Sequence, residues 1–200
     1  MIEKLSESVV LCDLGGVLID LHWEKSARSL FGTELSKEQL LEKWLSLSSI
    51  KTFEAGLCSF ADFFRAFCQE NPVSLSQEDF MKEFIGIIGP VKPGSIEILR
   101  RLKKNNRLAL LSNTNALHID FLRQQSDLLD CFDRLFLSYE MHLVKPDPAI
   151  FSQVANQLQV EPEKILFFDD SKTNIEAAIK SGFRAFQVES PEEIARTIGK

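Results

Sequence analysis

The chain has 200 residues, 44% of them hydrophobic and 26% charged, with a formal net charge of -6. That balance supports a buried core and excludes a chain kept disordered by its composition. The acidic excess argues against nucleic-acid or anionic-membrane partners, which need a basic face, and no run of about 18 apolar residues offers a membrane span.

In chain order, the opening MIEKLSESVVLCDLGGVLIDL has its apolar run broken by Asp13 and Asp20, so no cleavable leader is expected. Val9 to Cys12 reads as a strand buried on both faces, ending at Asp13. Residues 21–90 change character. Helical patterns run from Trp23 to Leu30, Lys37 to Leu47, Ser59 to Cys68 and Gln77 to Ile88, with no convincing strand among them. Trp44, Phe53, Phe60, Phe63, Phe64 and Phe67 fall at helical spacings and are expected to form the core of this segment. Pro90 and Pro93-Gly94 then punctuate the chain.

After residue 90 helices and strands alternate. Ser95 to Lys104 is amphipathic, with Ile96, Leu99 and Leu102 on one stripe. Strands are predicted at Leu108 to Leu111, Leu135 to Leu137 and Ile165 to Phe168, with a weaker one from Phe183 to Val188. Asp147-Pro148 reads as an N-cap and first helical residue of a helix through Leu158. Asn174 to Lys180 is helical and Gly182 marks its stop. The prediction is an α/β fold: a Rossmann-like parallel sheet core from residues 1–20 and 91–200, with an α-helical cap inserted over 21–90. Cys12, Cys58, Cys68 and Cys131 form no CxxC pair and have no His at zinc spacing, so reduced thiols and a cytoplasmic protein are expected.

In an open parallel sheet, ligands bind beyond the carboxyl ends of the strands. The residues ending the apolar runs are Asp13, Ser112-Asn113-Thr114 and Asp169-Asp170, with Lys145-Pro146 in the loop entering the Pro148 helix. Carboxylates from two strands can share Mg²⁺, a hard cation that takes oxygen ligands. Ser112 and Thr114, near a helix N-terminus, suit phosphate oxygens, and Lys145 would neutralise a phosphoryl group. Taken singly, each would pass as a turn or capping residue; together they converge on one edge. His22 and His118 read as a surface residue and a helix residue at the pocket rim.

Four short motifs therefore stand in order: Asp13-Leu14-Gly15-Gly16-Val17-Leu18, Leu111-Ser112-Asn113-Thr114, Lys145-Pro146-Asp147, and Phe167-Phe168-Asp169-Asp170 with Asn174. With them the chain resembles the haloacid dehalogenase-like hydrolases from residue 8 to the C-terminus. The wording DLGGVLID with Ser112-Asn113-Thr114-Asn115 and His118 is similar to the glucose-1-phosphate phosphatase branch and its epoxide-hydrolase phosphatase-like relatives. The resemblance implies Asp13 as the nucleophile forming an aspartyl-phosphate. It implies Mg²⁺ held by Asp13, the Gly15 carbonyl, Asp169 and Asp170, with Asn174 orienting that loop. Ser112 and Lys145 would bind the transferring phosphoryl group, supported by Asn113 and Thr114.

One departure matters. Most phosphatases of this family carry a second Asp two residues after the nucleophile, which protonates the leaving group and then activates water; here that position is Gly15. The expected substrate is a small phosphorylated metabolite with a weakly basic leaving group, such as a sugar 1-phosphate, unless His22 supplies the proton. His142 stands where a small residue is expected. Two other readings compete: a binding or regulatory protein retaining the fold, and a haloacid dehalogenase, which the paired acids Asp169-Asp170 oppose. No motif in 21–90 specifies one substrate.

Overall fold

The computed structural model describes residues 8–31, 35–71 and 73–199. The outer limits of the expected core, residues 1–7 and 200, lie outside the described residues. The chain opens with β1 (Val9–Cys12) and β2 (Ile19–Leu21). Five helices follow: α1 (Trp23–Phe31), α2 (Lys37–Ser46), α3 (Ser48–Glu54), α4 (Phe60–Glu70) and α5 (Gln77–Ile85). Then come β3 (Ile88–Val91), α6 (Ser95–Lys103), β4 (Arg107–Ser112), α7 (Ala116–Gln125), β5 (Arg134–Leu137) and the single turn α8 (Ser138–Met141). The chain continues through α9 (Pro148–Leu158), β6 (Ile165–Asp169), α10 (Lys172–Lys180), β7 (Arg184–Gln187) and α11 (Pro191–Ile198).

Five strands form one parallel sheet in the order β5-β4-β1-β6-β7. The alternation of side chains along each strand sorts residues onto two faces. Val10, Cys12, Leu108 and Leu110 join Leu99, Leu102, Ile119 and Ile194 on one face. Val9, Leu11, Ala109 and Leu111 join Ile150, Phe151, Val154 and Ala178 on the other. Burial on both faces explains why the strands read as unbroken apolar runs. β1 pairs with β4 on one side and β6 on the other, so the strand order reverses at the end of β1. That reversal opens the crevice in which such sheets bind ligands.

The helices from α1 to α5 enclose a separate core. Phe63, Phe67, Phe80 and Phe84 are fully buried there, with Ala27, Leu30 and Leu40. Their rings stack or meet edge to face, as in the Phe53–Phe63 pair with centroids 4.5 Å apart. Each such pair adds about 0.5–1.5 kcal/mol beyond area burial. Ser36, Ser59 and Ser76 cap α2, α4 and α5, their hydroxyls accepting N–H bonds from Gln39, Asp62 and Asp79.

Several details differ from the sequence reading, among them the helix expected through Ile88, which ends at Ile85 so that Ile88 opens β3. Residues 21–90 do contain strand: β2 and β3 pair antiparallel across the two chain crossings. β2 has three residues and β3 contains Gly89-Pro90, so neither carries a periodic signal. An added Cβ on Gly89 would lie 2.7 Å from the Asp20 carbonyl oxygen, so the close pairing requires glycine there. The helix expected through Leu47 ends at Ser46, and the unpredicted α3 begins at Ser48.

Candidate active site

Asp13 follows the last residue of β1, and its backbone N–H donates to the Phe168 carbonyl at 2.8 Å. Asp169 ends β6, the adjacent strand. The Lys145 side chain crosses beneath both. Its ammonium donates to Asp13 Oδ1 at 2.8 Å, Asp169 Oδ2 at 2.6 Å and the Leu111 carbonyl at 3.1 Å. These bonds use all three protons of a lysine, and the side chain is buried. Lys145 is therefore an internal counter-ion that fixes two carboxylates.

Its loop is fixed in turn. The Asn113 amide accepts from the Lys145 backbone N–H at 2.7 Å and donates to the Lys145 carbonyl at 2.9 Å. The sequence reading placed Asn113 beside substrate; the structure has its amide clamping the lysine backbone. Asn174 donates to both oxygens of Asp169 at 3.1 Å, and the Ser171 N–H donates to Oδ1 at 2.8 Å. Asp169 is thus fully buried and its lone pairs largely engaged.

Asp13, Asp169 and Asp170 each offer a carboxylate oxygen within 4.8 Å of the others. Among them stands one lysine. Burial pushes Asp13 up to about 7, with Lys145 opposing and Asp169 adding to the rise. Burial and the neighbouring Asp169 also raise Asp170. Burial opposes the charge on Lys145, but the two carboxylates hold its pKa above the usual lysine range. An oxygen-only set with excess negative charge, two of its three carboxylates buried, fits a hard divalent cation. Gly16 shapes this cradle and was not singled out from the sequence. It has φ +74°, and an added Cβ would meet Asp170 Oδ2 at 2.2 Å. Lys92 donates to the Gly16 carbonyl and to the Glu189 carbonyl.

Gly15 lies under Leu21. An added Cβ at Gly15 would lie 2.8 Å from Leu21 Cδ1, so a side chain there would have to displace the leucine. Ser112 is buried, and its hydroxyl makes one long contact, 3.5 Å to the Asn113 carbonyl. Thr114 is also buried, and its backbone N–H donates to Ser138 Oγ at 2.9 Å.

Two of the three histidines have structural partners. His118 is buried within the fold, not at a rim. Its Nδ1 meets the Asn115 amide at 3.0 Å and its Nε2 meets the Phe84 carbonyl at 2.8 Å. Burial pulls its pKa down to about 4, so it stays neutral, with Nε2 as the donor to Phe84. His142 has φ 56°, and its Nδ1 bonds the Ala55 carbonyl at 3.0 Å. A small residue could not make that bridge, which accounts for the histidine. His22 is exposed.

Glu54 carried no signal in the sequence beyond a carboxyl two residues before a glycine. It ends α3, and its backbone carbonyl accepts from Ser138 Oγ at 2.6 Å. Burial raises its carboxyl to about 7, with Lys145 near enough to oppose the rise.

The sequence model of haloacid dehalogenase-like hydrolases matches residues 8–182. The chain is 28% identical over 188 residues to the D-ribitol-5-phosphate phosphatase of Bacteroides thetaiotaomicron, covering 90% of this chain and 91% of that protein. It is 36% identical over 91 residues to a phosphorylated carbohydrates phosphatase of Thermotoga maritima, covering 45% and 42%. A crystal structure of a Bacteroides thetaiotaomicron enzyme of the same family, in complex with magnesium and inorganic phosphate, superposes with a TM-score of 0.75 at 27% identity, over 90% of this chain and 93% of that one. With its parallel sheet and its acids gathered at the strand-order reversal, the chain belongs to the haloacid dehalogenase-like hydrolases.

Proposed function

We propose that this protein is a Mg²⁺-dependent phosphatase of small phosphorylated carbohydrates or polyols, acting through an aspartyl-phosphate on Asp13. The observation that carries this reading is the buried Asp13–Lys145–Asp169 triad with Asp170 beside it. Paired acids at the end of β6 favour a phosphatase over a dehalogenase or an inert binding protein. Asp13, Asp170 and the Gly15 carbonyl would hold Mg²⁺, with Asp169 close by. The ion, when bound, offsets charge on the phosphoryl oxygens.

In this reading the chain's own residues divide the work. Asp13 attacks phosphorus in line, held by Lys145 so that one oxygen is presented and the other fixed. Lys145 lowers the cost of keeping Asp13 ionised next to Asp169. Ser112, whose hydroxyl is nearly free, and Thr114 would contact phosphoryl oxygens. Asn113 and Asn174 act by fixing Lys145 and Asp169. Helices α1 to α5 serve as the cap over residues 21–90, which excludes water and selects the leaving group.

The relatives named above support a carbohydrate or polyol phosphate as substrate. Gly15 favours a weakly basic leaving group such as that of a sugar 1-phosphate. D-Ribitol 5-phosphate is a primary alkyl phosphate, whose departing alkoxide needs a proton. A phosphate-release screen over sugar 1-phosphates, polyol phosphates and aryl phosphates, with and without Mg²⁺ and with Asp13→Asn as control, tests the reading. Mg²⁺-dependent release lost in the variant is expected; release that survives in the variant overturns the mechanism.

A further inference from the structure

We infer that Glu54, delivered by the helical lobe, is the general acid and base of this site, in place of the carboxyl that Gly15 does not supply. The inference rests on the phosphatase reading above and deepens it.

Three consecutive residues pin this corner of the lobe onto the segment that leads to Lys145. Ser138 Oγ bonds the Glu54 carbonyl at 2.6 Å, and His142 Nδ1 bonds the Ala55 carbonyl at 3.0 Å. Gly56 has φ +66°, and an added Cβ would lie 2.1 Å from the Tyr139 carbonyl oxygen, so the backbones meet there without room for a side chain. Ser138 also accepts from the Thr114 N–H at 2.9 Å, tying the end of β4 to the same point. The end of α3 is thus held against the strand ends that carry the site, although Glu54 lies far from Asp13 in sequence.

The Glu54 carboxylate is unusual in this setting. Among the described residues it accepts no hydrogen bond and forms no ion pair, unlike Asp13 and Asp169. Its enclosure holds the proton to about neutral pH, within reach of the Lys145 charge. A group poised there can both give and take a proton at working pH. The alternative position brings no carboxyl of its own, and the Leu21 side chain lies where a Cβ on Gly15 would stand. In-line displacement sets the leaving oxygen opposite the attacking one. Asp13 attacks from the sheet, so the leaving oxygen points away from the sheet, toward the side on which a cap carboxyl would sit.

An Asp13 oxygen forms a bond to phosphorus as the bond to the leaving oxygen breaks, and the Glu54 proton passes to that oxygen. The alcohol departs and Glu54 is left as carboxylate. Water then attacks phosphorus, its proton passes to Glu54, and the bond from phosphorus to Asp13 breaks. Phosphate leaves with Asp13 and Glu54 in their starting forms.

The test compares wild type, Glu54→Gln and Glu54→Asp with Mg²⁺ on D-ribitol 5-phosphate and on 4-nitrophenyl phosphate. Glu54→Gln should lose about 10²–10⁴-fold in kcat on the alkyl phosphate. On the aryl phosphate it should release one equivalent of nitrophenol per enzyme in a burst and then turn over slowly. Phosphorylation there needs no acid, whereas attack by water still needs the base. Glu54→Asp, which keeps the carboxyl on a shorter stem, should recover part of the alkyl activity. An equal loss on both substrates with no burst, or no loss on either, overturns the role of Glu54. A wild type inactive on every phosphate of the screen above, or turnover by Asp13→Asn, breaks the phosphatase reading itself.

Discussion

The sheet edge and the helical lobe solve opposite problems. At the sheet edge Asp13, Lys145 and Asp169 lie out of water, and each is held by directional bonds to named partners. In the lobe the buried side chains are phenylalanines packed ring on ring, with hydroxyl caps at the helix starts. One region fixes charge at a cost in stability, since burial resists every ionised group in it. The other gains stability from apolar area and needs no particular charge. The difference teaches where each kind of substitution should act: chemistry at the edge, folding in the lobe.

Asp13→Asn should break the edge without touching the lobe. Removing an attacking group costs on the order of 10⁴-fold or more in kcat, while the volume stays the same and the melting temperature should move little. Kinetics and calorimetry on one preparation check both halves. Phe63→Ala should do the reverse. Phe63 is fully buried and touches the rings of Phe53, Phe80 and Phe84. The truncation should cost about 3–5 kcal/mol, or roughly 10 °C in a chain of this length. A separate early transition in the melting curve would show the lobe unfolding by itself.

The joint between the regions has a pH signature. Above pH 6.5 His118 is neutral in folded and unfolded chains alike and contributes no slope. As pH falls toward 4, the unfolded chain takes a proton that the folded one resists. Stability should therefore drop by roughly 3 kcal/mol across that window. Glu54 and Asp13 act with the opposite sign. Their folded carboxyls are raised to about 7, so the folded chain binds these protons first and gains stability as pH falls from 7 toward 4.5. His118→Gln should remove the first slope and uncover the second in denaturant titrations across pH. A profile unchanged from wild type would contradict the His118 contribution.

The smallest effect expected is that of the metal. Mg²⁺ at about 100 times its dissociation constant adds near 2.7 kcal/mol by mass action. Asp170→Asn should reduce that shift and, without metal, raise the melting temperature slightly by removing a repelled carboxylate. A full shift in the variant would place the ion elsewhere.

Much of this was legible along the chain. Four apolar runs ending in Asp13, Ser112, Ser138 and Asp169 are strands because burial on both faces leaves no polar alternation. Asp147-Pro148 and Gly182 mark helix ends through backbone chemistry confined to a few neighbouring residues. The motif residues are readable because strand ends in such a sheet share one edge, so short local signals converge in space.

The rest depended on partners far away in sequence. β2 and β3 are strands because they meet each other, and neither has the length to announce itself. His142 makes sense only with the Ala55 carbonyl beside it, and Gly16 only with Asp170 against its missing Cβ. Glu54 looks like any solvated glutamate until α3 is docked on Ser138. Local propensity and hydrophobic period set which elements form and which residues end the strands. Burial, charge state and the pairing of groups from separate elements are properties of the assembled tertiary structure, because desolvation and hydrogen bonding depend on what surrounds a group, not on what precedes it in the chain.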